Sequence, residues 1–207
     1  MDEASGSTVE AVLFDLGGVL IDWNPRHLYR PYFADADTME DFLARVCAPE
    51  WNHRMDAGHP VDLAVAERQR EFPEHAALIA LWRDGWPQML GGAIEETVAL
   101  LRALRARAMP LYALTNWSAE TFPVARARFG FLDWFAHIVV SGEVGLAKPD
   151  PAIFLLATQH MRVPPERTLF IDDSERNTEA ARSLGFQVHR FTVPDALQRD
   201  IVARGLL

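Results

Sequence analysis

Short apolar runs that stop abruptly at polar residues recur along the chain. Residues 9–14 (VEAVLF) run into Asp15 and the Gly17-Gly18 pair, which predicts a buried strand meeting a tight loop. Residues 111–115 (LYALT), 137–141 (HIVVS), 168–171 (TLFI) and 187–190 (QVHR) have the same form. Between them the period lengthens to that of a helix. Ile94, Val98, Leu101 and Leu104 mark one helix, which Met109-Pro110 closes. Residues 151–160 and 175–184 predict two more, with Gly185 placed as a helix stop. Strands alternating with helices imply an α/β fold whose parallel sheet is covered on both faces. Such a sheet carries its chemistry at the carboxyl ends of its strands.

Residues 23–92 break the alternation. They have helical patterning, four tryptophans (Trp23, Trp51, Trp82 and Trp86) and no convincing strand, and no Gly/Ser- or Pro-rich spacer marks a linker. This predicts a helical cap at 23–92, inserted into a core made of 9–22 and 93–207. Residues 1–8 are small, polar and without period, which predicts a loose arm.

At 207 residues the chain is long enough to bury a full core without disulfides, and its single cysteine, Cys47, has no partner within it. No apolar run is long enough to span a membrane, and nothing at the start resembles a signal peptide. A cytoplasmic protein is expected. The net charge of −9 disfavours nucleic acid or an anionic membrane surface as partner. Small molecules are the expected ligands, with the chain a monomer or homodimer.

The polar residues at the ends of the apolar runs change this picture most. Asp15 follows the first, Thr115-Asn116 the second and Asp172-Asp173 the fourth, while Lys148 precedes Pro149 in a turn. Together they would converge on one cleft. Three aspartates against one lysine leave about two negative charges in a confined place, which is costly unless a cation enters. Mg²⁺ suits such a site, because it takes oxygen ligands, few of them carboxylates, and completes its shell with water and phosphate. With that charge neutralised, an ionised Asp15 can attack phosphorus. Thr115 offers a hydroxyl and Asn116 an amide to phosphate oxygens, and Lys148 can bridge phosphate and nucleophile.

FDLGGVL at 14–20, LTN at 114–116, KPDPAIF at 148–154 and IDDSERNTEAARSLG at 171–185 resemble, in order, the four motifs of the haloacid dehalogenase-like hydrolase superfamily. The resemblance implies a Rossmann-like three-layer core with a helical cap after the first strand, and an aspartyl-phosphate intermediate on Asp15. It also implies Mg²⁺ held by Asp15, the carbonyl of Gly17 and Asp173, with Asp172 as ligand or outer support and Asn177 orienting the shell by hydrogen bonds. Thr115, Asn116, Lys148 and Gly18 would hold the phosphate.

One position departs from the family pattern. Its phosphatases carry a second aspartate two residues after the nucleophile, as general acid and base, and here that residue is Gly17. Such a group contributes about 10²- to 10⁴-fold. Three readings follow. A phosphatase, similar to α-glucose-1-phosphatase-like members, would take its proton transfers from Asp22, His27 or His53, or act on a sugar phosphate with a good leaving group. An L-2-haloacid dehalogenase needs no acid for a departing halide, but that branch lacks the carboxylate pair seen at 172–173. A catalytically silent binding protein is the third. Response-regulator receivers use similar residues in the reverse order and are rejected.

For substrate contacts from the cap, Arg26, His27, Trp51, Asn52 and Arg54 are the candidates, the arginines as partners for a carboxylate or second phosphate. Trp82 and Trp86, four residues apart, are expected to share a helix face and pack the cap. Residues 64–83 offer a possible dimer surface, and Trp117 a wall for the pocket or packing at the core edge.

Overall fold

The computed structural model of the chain describes residues 8–207, so the expected arm at 1–8 lies, apart from Thr8, outside the described residues. Five parallel strands form one sheet in the order β5-β4-β1-β6-β7. They are β1 (Ala11–Phe14), β4 (Leu111–Thr115), β5 (His137–Val140), β6 (Thr168–Asp172) and β7 (Gln187–Arg190). All five follow the apolar runs read from sequence, because a central parallel strand is buried on both faces and needs apolar residues throughout. Strand β1 is fully buried between β4 and β6. The chain moves from β1 to one side for β4 and β5, then to the other for β6 and β7, which puts a switch point at the end of β1.

Alternate side chains of each strand face opposite layers. Leu13, Leu114 and Phe170 pack against α9 (Pro151–Met161) and α10 (Glu175–Ser183) through Ile153, Phe154, Ala157 and Ala181. Val12, Phe14 and Ile171 face the second layer, where α6 (Glu95–Ala106) and α11 (Pro194–Ala203) supply Leu101, Leu104, Leu197 and Ile201. This is the three-layer α/β architecture expected.

Between β1 and α6 the chain departs from the prediction in one respect. Strands β2 (Ile21–Trp23) and β3 (Leu90–Ala93) pair antiparallel, Ile21 opposite Ala93 and Asp22 opposite Gly92, with a register shift before Trp23. Both are too short, and β3 too rich in glycine, to leave an alternating pattern. They carry the helical segment between them: α1 (Pro25–Tyr29), α2 (Ala36–Arg45), α3 (Pro49–Asp56), α4 (Val61–Glu71) and α5 (Ala76–Asp84). Its centre is aromatic. Trp82 meets Trp23, Tyr29 and Trp51 at ring-centroid distances of 6.3, 6.3 and 5.0 Å. Cys47 is buried beside this cluster, and burial pushes its thiol up to about 12. Two short helices, α7 (Phe122–Arg128) and α8 (Ser141–Val144), follow β4 and β5. No helix among the described residues is long and apolar enough to cross a membrane.

Candidate active site

The parallel sheet brings the ends of β1, β4 and β6 to one edge, since the three strands are neighbours in register. Asp15 is the first residue beyond β1, and its N–H still donates to the carbonyl of Ile171 at 2.8 Å. Thr115 ends β4, and Asp172 ends β6 with Asp173 next. Lys148 arrives from the turn between α8 and α9, buried despite its charge. Its ammonium lies 2.6 Å from Asp172 Oδ2 and 3.0 Å from Asp15 Oδ1, and donates to the carbonyl of Leu114 at 2.8 Å. Burial works against that charge, but Asp15 and Asp172 outweigh it and hold the ammonium above its ordinary range. Burial also pushes the carboxyl of Asp15 up to about 7; Lys148 draws it down, while Asp172 and Asp173 add to the rise.

Asp15, Asp172 and Asp173 each place an oxygen within 4.8 Å of the others, so the cluster fits a small cation. The three are not equivalent. Asp172 is fully buried, and its oxygens accept from Lys148, from the Ser174 N–H at 2.8 Å and from the Asn177 amide at 3.0 and 3.1 Å. It stands behind the site rather than lining it. Asp15 and Asp173 face the cavity together with Gly17. Gly18 has φ of +74°, and a Cβ there would lie 2.5 Å from Asp173 Oδ2, so the loop requires glycine twice over.

The cavity holds about 300 Å³ and is lined by Asp15, Gly17, Gly18, Thr115, Asn116, Lys148, Asp173 and Asn177 on the core side. Thr115 Oγ1 is buried without a hydrogen-bond partner among the described residues. A buried hydroxyl in this state is costly, and an anion oxygen in the cavity would satisfy it. Asn116 lines the cavity with one hydrogen of its amide already engaged. Its Nδ2 donates to the carbonyl of Lys148 at 2.9 Å and its Oδ1 accepts the Lys148 N–H at 2.8 Å, so it clamps the lysine's backbone.

Over the cavity stand Trp23, Asn52, Asp56, Trp86 and Trp117. Of the five cap candidates only Asn52 lines it. Trp51 is buried in the aromatic cluster and donates from Nε1 to the carbonyl of Ala64 at 3.2 Å, so it is packing. Arg26 and Arg54 spend their charges on Glu40 and Glu67, at 2.5 and 3.0 Å, and neither lines the cavity. His27 pairs with Asp22 at 2.8 Å away from it, and His53 lines a neighbouring pocket. None of the three proton carriers expected from sequence therefore lines the cavity, although the pocket of His53 shares Asn116, Lys148 and Asn177 with it. Trp86 corrects another expectation: α5 ends before Gly85, so Trp82 and Trp86 do not share a helix face. Trp82 packs the insert, while Trp86 turns to the cavity 5.7 Å from Trp117.

Asp56 was not read from the sequence. The signal was its place on α3, four residues after Asn52, since residues at that spacing share a face. Trp51 and Met55 are the buried pair of the same helix, and Asn52 with Asp56 is the cavity pair.

A family model for haloacid dehalogenase-like hydrolases matches residues 9–185. The chain belongs to that family. Among curated relatives, this hydrolase is 29% identical over 194 residues to a phosphoglycolate phosphatase of Nitrosococcus oceani, covering 86% of this chain and 82% of the relative. It is 33% identical over 94 residues to (S)-2-haloacid dehalogenase 2 of Pseudomonas sp. (strain CBS-3), a match covering 45% of this chain and 41% of that protein. The hydrolase thus spans less than half the length of that dehalogenase. A solved HAD family enzyme of Bacteroides thetaiotaomicron, in complex with magnesium and inorganic phosphate, shares the fold with a TM-score of 0.63. The two are 23% identical, with 89% of this chain and 94% of that one covered.

Proposed function

We propose that this hydrolase is a cytoplasmic, Mg²⁺-dependent phosphatase of small phosphate esters of the sugar-phosphate type, acting through an aspartyl phosphate on Asp15. The observation that carries this reading is the retained carboxylate pair beside Lys148. Without a cation, Asp15, Asp172 and Asp173 would repel an anionic haloacid; with one, the cavity suits a phosphate dianion. The magnesium and phosphate bound by the HAD family enzyme of the same fold agree with it.

Asp15, Asp173 and the carbonyl of Gly17 would hold the cation, with Asp172 supporting from behind and Asn177, on the cavity wall, holding Asp172 by its amide. When bound, Mg²⁺ supplies Lewis-acid neutralisation of phosphate charge. The chain's own groups do the rest. Asp15 Oδ1 is engaged by the Leu16 N–H at 2.7 Å and by Lys148, which assigns attack on phosphorus to Oδ2. Thr115 meets a phosphate oxygen, and the lysine, clamped by Asn116, stays fixed between nucleophile and phosphate. We assign the helical segment at 23–92 the role of a cap, whose Asn52 and tryptophans Trp23 and Trp86, with Trp117 of the core, enclose the leaving group.

A panel of sugar phosphates with Mg²⁺ should release phosphate from at least one member and fall silent with EDTA. The partial match to a dehalogenase keeps a second reading in view, attack of Asp15 on an L-2-haloacid. Chloride released from L-2-chloropropionate in EDTA, with a blank phosphate panel, would establish that reading instead. The metal assignment has its own check. At about 100 times its Kd, Mg²⁺ should stabilise the wild type by about 2.7 kcal/mol. Gly18→Ala, which forces Asp173 aside, should weaken that affinity at least about tenfold. Equal Mg²⁺-induced melting shifts in the two proteins would remove Asp173 from the ligand set.

A further inference from the structure

Gly17 leaves phosphoryl transfer at Asp15 without its usual proton carrier, and the groups that sequence offered in compensation do not line the cavity. Asp56 is placed differently. It is the last residue of α3, where the insert meets the core, and its side chain lines the same cavity as Asp15, Lys148 and Thr115. Core and insert both fix it. Its carbonyl accepts from the Ser141 hydroxyl at 2.5 Å, and its carboxylate accepts from the Asn52 amide at 2.8 Å and from the backbone N–H of Ser118. A carboxyl so held has a defined position relative to the nucleophile, which proton transfer needs more than it needs any particular acid.

We propose that Asp56 is the general acid and base of this hydrolase, standing in from the insert for the aspartate that Gly17 replaces. The inference rests on the phosphatase reading. In the first step Asp15 Oδ2 bonds to phosphorus, the phosphorus–alkoxide bond breaks, and the Asp56 carboxyl gives its proton to the leaving oxygen. Alcohol departs, leaving an aspartyl phosphate on Asp15 and an ionised Asp56. In the second step Asp56 takes a proton from water as the water oxygen bonds to phosphorus and the Asp15–phosphorus bond breaks. Inorganic phosphate leaves, and Asp15 carboxylate and Asp56 carboxylic acid are restored.

The surroundings suit a group that must be both acid and base. Burial pushes the Asp56 carboxyl up to about 7, against the pull of the Ser118 N–H, the Asn52 amide and the charge of Lys148. Ser141 from α8 reaches only its backbone carbonyl. Both protonation states are thus accessible near neutrality. The position of Gly17 offers an internal control. A Cβ there meets no described atom within 4 Å, and its φ lies outside the left-handed region, so an aspartate can be put back.

The test is a ladder of phosphate esters, from p-nitrophenyl phosphate to alkyl and sugar phosphates, run on wild type, Asp56→Asn and Asp56→Asn with Gly17→Asp. Asp56→Asn keeps the shape of the side chain and one acceptor oxygen for the Asn52 amide or the Ser118 N–H, but it can neither give nor take the proton. It should lower kcat/KM for alkyl esters by about 10²-fold or more, with a much smaller change for p-nitrophenyl phosphate, whose leaving group needs no proton. With the aryl ester it should also show a burst of nitrophenol and accumulate phosphorylated Asp15, because water is no longer activated. Adding Gly17→Asp should recover at least about tenfold of the alkyl activity. A folded Asp56→Asn with unchanged alkyl kcat/KM overturns the proposal and leaves the phosphatase reading standing. A wild type inactive on the whole ladder overturns both. Should Asp56→Asn not fold, the wild type decides: kcat/KM nearly independent of alcohol pKa supports a proton donor, and a steep decline with rising alcohol pKa overturns it.

Discussion

Asp15→Asn should abolish turnover, by at least about 10⁴-fold in kcat, and yet melt higher than the wild type at pH 8 in EDTA. The opposed signs come from one cause. The folded-state pKa of Asp15, about 7, lies above its unfolded value of roughly 3.9. A group raised in this way favours the folded state fully below the unfolded value and loses that contribution as pH rises through about 7. Above pH 7 the wild type therefore carries a carboxylate that its surroundings resist, and asparagine relieves it without disturbing the bond from Lys148 to Asp172. Below about pH 5 the two proteins should converge. Melting curves in EDTA at pH 5 and pH 8, with assays of the best panel substrate, check both parts. A mutant that melts lower at both pH values would mean that Asp15 is a structural partner of Lys148 before it is anything else.

Lys148→Met should show the reverse dependence, with a large loss of stability at pH 8 and a smaller one at pH 5. Methionine fills the space but leaves Asp15 and Asp172, buried beside it, with no cation between them. Removing one partner of a buried ionic cluster costs about 3–5 kcal/mol, a fall in Tm of roughly 10 °C for a chain of this size. At pH 5 a proton on Asp15, whose carboxyl loses the lowering pull of Lys148, makes up part of the missing charge. Activity should fall by about 10³-fold or more, since the charge facing the phosphate is gone. Identical melting of mutant and wild type at pH 8 would show that the cluster is already neutral without Lys148.

How far this was legible in the sequence follows from the physics of each part. The parallel strands were visible because burial on both faces demands unbroken apolar runs, and the polar residues that end those runs became the core side of the cavity. The hairpin of β2 and β3 was not, because Gly91 and Gly92 erase the alternation that announces a strand. The insert misled for another reason. Arg26 and Arg54 read as free cations until the fold brings Glu40 and Glu67 to them, and no local pattern reports such distant pairing. Trp51 and Asn52 are adjacent in sequence but lie on different sides of α3, so choosing between them required knowing which side packs. Asp56 was hidden by the same ambiguity, although its spacing from Asn52 held the clue.

The small antiparallel ladder also bears on how this fold diversifies. Because Ile21 and Ala93 are paired, the two ends of everything between them are held together by the ladder itself. Lengthening the intervening segment then changes only the entropy of closing a loop, about 0.6 kcal/mol for each doubling. The nucleophile, a few residues before that closure, does not register the difference. Chain length beyond β2 can vary while the nucleophile stays where β1 leaves it, so attack on phosphorus is mechanically decoupled from the segment that supplies the enclosing side chains and the proton carrier Asp56.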